Sequence, residues 1–202
     1  MIAHLRPVDL IEITVLVDNY TDLLLSEETS LIHRPILSYG KTLCAEHGLS
    51  FLVRVRTGEQ RYVTILMDTG STTTALLENA RQLGIDLNEI RAIFISHGHY
   101  DHMGALVSAL GLSSSTIPVY IHPAAFAMRR KRLSDGSYTD LPALTEDAIT
   151  DAGGILVHVQ QPTGIGDETM LLTGEIERTT AFEQGSPILE VKEGDSFVRD
   201  VF

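Results

Sequence analysis

The run Ala92-Ile93-Phe94-Ile95-Ser96-His97-Gly98-His99-Tyr100-Asp101-His102 sets four apolar residues directly before three imidazoles and a carboxylate. The apolar residues read as a buried strand. His97 and His99 are two apart, so on extended backbone they project to one side. Asp101 and His102 follow, where Met103 to Leu110 takes up a helical apolar pattern. A strand end therefore delivers two ligands and the next turn delivers two more, aimed at a common volume. Imidazole nitrogen with carboxylate oxygen suits zinc, iron or manganese better than calcium or magnesium. The metal candidates are His97, His99, Asp101 and His102, with zinc as the expected ion. Gly98 and Gly104 are expected to give this turn its flexibility.

Upstream, Tyr62 to Met67 reads as a strand closed by Asp68-Thr69-Gly70, and Phe51 to Arg56 as its hairpin partner across Gly58-Glu59. Ser71-Thr72-Thr73 offers N-caps for a helix in which Leu76, Ala80 and Leu83 face the core and Gly84 is the stop. Asp86 to Ile90 repeats the pattern in miniature. Ile11 to Val17 alternates as a half-buried strand with Ile11, Ile13, Val15 and Val17 on one face. Tyr20 to Leu49 reads as a long loop in which His33 and His47 are solvated. Asp68, at a strand end beside the candidate metal loop, is either a turn aspartate or the group that orients a ligand histidine through its second ring nitrogen.

Downstream, Val119 to Ile121 reads as a short strand before His122. Ala124 to Leu133 reads as a helix carrying Arg129-Arg130-Lys131-Arg132, which is a solvated face or a phosphate site. Thr145 to Ala152 is a helix, and Ile155 to Val159 and Thr169 to Thr173 are strands. Polar residues dominate from Ala181 onward. Strands alternating with helices argue for an α/β sheet with right-handed crossovers.

A chain of 202 residues is the size of one substantial domain, spanning 1–202. A net charge of −12 repels phosphate backbones and disfavours a nucleic-acid partner. Cys44 stands alone, which excludes an internal disulfide and any multi-cysteine metal site. No signal-peptide core and no run of membrane-spanning length are present, so a cytoplasmic protein with no membrane partner is the expectation.

The pattern His-x-His-x-Asp-His after a hydrophobic strand resembles the metallo-β-lactamase superfamily of metal-dependent hydrolases. Asp68-Thr69-Gly70 upstream and Leu172-Thr173-Gly174-Glu175-Ile176-Glu177-Arg178-Thr179 downstream are similar to the subgroup labelled 7,8-dihydropterin-6-yl-methyl-4-(β-D-ribofuranosyl)aminobenzene 5′-phosphate synthase. The resemblance implies an αββα sandwich and up to two metal ions. His97 and His99 would bind the first ion, and Asp101 and His102 the second, with Asp101 also taken as catalytic. It further implies hydrolysis of a small molecule by metal-activated water. The alternatives are the subgroup's pterin transfer and a non-catalytic metal-binding fragment. The family's later ligands have no counterpart here, since no histidine follows His158. The chain is therefore expected to hold the N-terminal portion of the sandwich and to pair as a homodimer over the exposed sheet. His122, His158 and Glu175 are weaker candidates to supply the missing donors.

Overall fold

The computed structural model describes residues 4–22, 24–59 and 61–201. Strands β1 (Leu10–Val17), β2 (Ser50–Thr57) and β3 (Arg61–Met67) form an antiparallel meander. Helix α1 (Thr73–Gln82) begins at Thr72, whose hydroxyl accepts from the Ala75 N–H, and stops before Gly84 at φ 69°. Gly84 is in the left-handed region that glycine reaches without a Cβ clash. There follow β4 (Ala92–Ile95), α2 (Tyr100–Met103), α3 (Leu106–Gly111) and β5 (Ile117–Ile121). Then come β6 (Arg129–Arg132), β7 (Tyr138–Asp140), α4 (Glu146–Asp151) and β8 (Gly154–His158). Two hairpins complete the described chain: β9 (Thr163–Ile165) with β10 (Met170–Leu172), and β11 (Leu189–Glu193) with β12 (Ser196–Arg199).

One six-stranded sheet has the order β1-β2-β3-β4-β5-β8, and its strands from β3 onward are parallel. The carboxyl ends of those strands share one edge, which is where open parallel sheets assemble their sites. One face of the sheet carries the helices: Leu16, Leu52, Leu66, Ile93 and Ile121 pack with Leu76, Leu106, Leu110 and Ile149. Burial there is complete enough that Leu76→Ala or Leu106→Ala would cost about 2–5 kcal/mol. On the other face Val63, Ile65 and Ala92 meet Ile165 and Leu172 of the β9–β10 hairpin. A helix layer, a six-stranded sheet and the β9–β10 hairpin on its other face make up part of the expected αββα sandwich.

Several expectations need correction. Ile11, Ile13 and Val15 are exposed rather than core-facing, while Leu16 and Val17 are buried. The register of β1 on β2 shifts between Val15 and Val17, and β1 is an edge strand beyond the apolar layer built on β9 and β10. The helix expected over Ala124 to Leu133 is a single 3-10 turn, Pro123–Phe126, followed by strand β6. β6 is held between β11 and β7 by ladder pairing, a tertiary interaction that overrides the helix propensity of arginine. Its arginines accordingly do not form one solvated face: Arg129 is buried, and Arg130 lies 3.9 Å from the centroids of both the Tyr138 and Phe197 rings. The single helix expected from Met103 to Leu110 is divided between α2 and α3. The polar tail after Ala181 contains the β11–β12 hairpin, which turns at Gly194 with φ 57°.

Candidate metal centre

The metal-loop glycines are there for close approach, since neither Gly98 nor Gly104 has a positive φ. A Cβ on Gly98 would stand 2.4 Å from the Ala125 carbonyl oxygen, and one on Gly104 2.1 Å from that of Ser71. These contacts press the 96–104 loop against the segment after β5 on one side and the Asp68-Thr69-Gly70 turn on the other. Backbone bonds lace the second contact: Thr69 N–H donates to His102 O at 2.7 Å and Gly104 N–H to Gly70 O at 2.9 Å.

Asp68 is buried at the end of β3, with its backbone left-handed at φ 57°. Its carboxylate accepts from Ser96 N–H at 2.7 Å, from the Ser96 hydroxyl at 2.7 Å and from His102 Nδ1 at 2.8 Å. Of the two readings of Asp68, the structure thus places it on a ligand candidate's second nitrogen. Asp200 does the same for His99. Its Oδ2 lies 2.9 Å from His99 Nε2 and 2.9 Å from Arg129 Nε.

These partners constrain where the imidazole protons sit. The Ser96 hydroxyl proton goes to Asp68, so Ser96 Oγ accepts from His97 Nδ1 at 2.9 Å, leaving a lone pair on His97 Nε2. His99 Nε2–H donates to Asp200. His97 Nε2 and His99 Nδ1 face each other across 3.1 Å. In the same way His102 donates Nδ1–H to Asp68, and its Nε2 faces the Asp101 Oδ2 at 3.7 Å. Two nitrogens sharing a zinc at about 2.0–2.1 Å stand roughly 3.3 Å apart at the tetrahedral angle. The His97–His99 contact at 3.1 Å is close to that spacing, and the Asp101–His102 contact at 3.7 Å is somewhat wider. The rings are in contact, His97 and His102 lying 4.2 Å apart between centroids. Among the described residues, however, no three such donors are gathered closely enough to enclose an ion as they stand.

The pKa values of the His97 and His102 rings are shifted in opposite directions. Burial, reinforced by the His102 and His99 rings, pushes His97 down to about 4 from 6.5, so its imidazole is neutral and able to ligate at neutral pH. His102 moves the other way. Burial lowers it, but the hydrogen bond and charge of Asp68 together with the Asp101 charge outweigh that and raise its pKa.

The weaker donor candidates have other partners. His158 pairs with Glu146 at 3.1 Å. His122 Nε2 is 3.9 Å from Glu175 Oε2, and its Nδ1 accepts from Ala124 N–H. Sequence reasoning missed two residues. His47, read as a solvated loop histidine and indeed 76% exposed, places Nε2 at 3.4 Å from Asp101 Oδ2. Asp200 belonged to the segment read as a polar tail. The alternation of Leu189 and Val191 before the Gly194 turn, with Phe197-Val198 after it, was the available signal for its hairpin.

Residues 46–189 match the family described as the metallo-beta-lactamase superfamily. A curated relative from Methanocaldococcus jannaschii, a 7,8-dihydropterin-6-methyl-4-(beta-D-ribofuranosyl)-aminobenzene-5'-phosphate synthase, is 29% identical over 126 residues. That alignment covers 62% of this chain and 37% of the relative's length. Similar solved structures include a subclass B3 metallo-beta-lactamase of Bradyrhizobium japonicum, with TM-score 0.39 and 20% identity over 74% of this chain and 53% of that one. The MIM-2 metallo-beta-lactamase gives TM-score 0.37 and 23% identity over 60% and 43% of the respective chains.

Proposed function

The chain belongs to the metallo-beta-lactamase superfamily, and from that premise we propose that it is a metal-dependent hydrolase of a small molecule, with His97, His99, Asp101 and His102 as its metal ligands. The observation that carries this reading is the pair of close contacts between ligand candidates, His97 Nε2 to His99 Nδ1 at 3.1 Å and His102 Nε2 to Asp101 Oδ2 at 3.7 Å. Zinc bound there would supply a Lewis acid and lower the pKa of water. The chain's own contribution is orientation and proton handling. Ser96 and Asp68 hold the protons of His97 and His102 on the nitrogens turned away from the site. Asp101 Oδ2 has the exposed His47 imidazole at 3.4 Å, a route by which a proton accepted at the carboxylate reaches solvent. A net charge of −12 favours a small substrate over a nucleic acid. Among the described residues no helix is long and apolar enough to cross a membrane.

A panel of ester, thioester, lactam and phosphodiester substrates with added zinc tests hydrolysis, with His99→Ala as control. Turnover that survives the substitution would come from another site and sink the proposal. The likeness to the archaeal synthase favours a second reading, in which an aryl amine displaces pyrophosphate from a pterin methyl group. Pyrophosphate release that needs both a pterin diphosphate and the amine would select it.

A further inference from the structure

His99 is the one ligand candidate whose outward nitrogen rests on a residue beyond the 46–189 segment matched to the family. Asp200 follows β12, and the β11–β12 hairpin, pinned to β6, carries it 101 positions along the chain back to the metal loop. Its side chain is 0% exposed and that of Arg129 is 3% exposed. Arg129 is itself anchored: its Nη1 donates to Ala125 O and Ala127 O at 3.1 and 3.0 Å, and its Nη2 to Ala124 O at 3.1 Å. The guanidinium thus ties the turn beneath Gly98 to the carboxylate that holds His99.

Two buried charges need each other, and the pair is costly to desolvate for stability alone. What the arrangement adds is a fixed acceptor aimed at His99 Nε2. With the proton held there, the Nδ1 lone pair is turned toward His97 Nε2. A carboxylate behind a ligand imidazole commonly fixes its tautomer and ring orientation. We propose that Asp200, clamped by Arg129, is the positioning residue that sets His99 for metal binding. This deepens the reading of the site as a metal centre and rests on it.

Two readouts test it. In the metal-free wild-type protein, long-range proton–nitrogen NMR is expected to find His99 as the Nε2–H tautomer, and Asp200→Asn to populate the Nδ1–H form. In a cobalt titration followed by visible absorption, Asp200→Asn is expected to weaken binding about 10–100-fold. An Nδ1–H tautomer in the wild type overturns the proposal without requiring any variant to fold. So does an Asp200→Asn protein that unfolds earlier yet binds cobalt as tightly per folded molecule, since that marks a structural role only. A wild-type protein that takes up no cobalt removes the metal centre and this proposal together, and is distinguishable from both.

Discussion

Asp68→Asn separates the charge of Asp68 from its shape. Asparagine tolerates the left-handed backbone at φ 57°, so the substitution adds no conformational strain. The carboxylate accepts three hydrogen bonds, two from Ser96 and one from His102. The amide has one oxygen, which can serve the Ser96 N–H, while its NH2 group turns toward the Ser96 hydroxyl and His102 Nδ1. The hydroxyl can rotate to accept. His102 can accept only by moving its proton to Nε2, the nitrogen that faces Asp101. Charge-assisted bonds contribute about 1.5–3 kcal/mol each, so losing one and weakening another should cost about 2–4 kcal/mol. In urea unfolding followed by circular dichroism this is a midpoint lower by about 1 M. Metal affinity should fall as well, because Nε2 now carries hydrogen. Asp68→Ala should be worse by about 1 kcal/mol, from the left-handed backbone. An Asp68→Asn midpoint within about 0.3 M of wild type would refute the proton assignments on which the site is built.

Gly104→Ala should destabilise by about 1–3 kcal/mol or more, because its Cβ meets the Ser71 backbone rather than a side chain that can move; an unchanged melting temperature would contradict the close-approach account. Arg130 pairs with Glu190 at 2.6 Å between two aromatic rings, so Arg130→Ala should cost about 1–3 kcal/mol. The exposed Lys131 and Arg132 should tolerate alanine within about 0.5 kcal/mol, and equal effects in thermal unfolding would restore the solvated-face reading. The Glu78 carboxyl, bonded first by Arg81 and then by Gln82, is held down to about 2 from 4.5. Its folded pKa is depressed, so its contribution is full above 4.5 and is lost as pH falls toward 2. Carbon NMR should follow that titration at low salt, and Arg81→Ala should return it toward 4.5; no movement would mean the ion pair is not formed in solution.

The features legible in the sequence were those carried by local pattern. Ala92 to Ile95 reads as a buried strand because its apolar residues are consecutive, and the spacing of His97 and His99 follows from the two-residue period. Leu76, Ala80 and Gly84 mark α1 by stripe and stop. What the sequence concealed was set by distant pairing. Asp200 reaches His99 only because β11 docks on β6, and nothing near Asp200 records that contact. His47 meets Asp101 because the Leu49 N–H donates to the Asp101 carbonyl. The run at Arg129 has no apolar period to distinguish strand from helix. The alternation in β1 was real, but the layer that would bury Ile11, Ile13 and Val15 is absent from that edge among the described residues.

The central claim, that His97, His99, Asp101 and His102 are metal ligands, is tested most directly by a zinc titration of the chelator-treated protein, read by calorimetry and elemental analysis. Binding of at least about one equivalent is predicted, with protons released as ligands lose them and with severe loss in His97→Ala and His99→Ala. Uptake below about a tenth of an equivalent by a folded wild-type protein, with no gain on adding zinc, would contradict it.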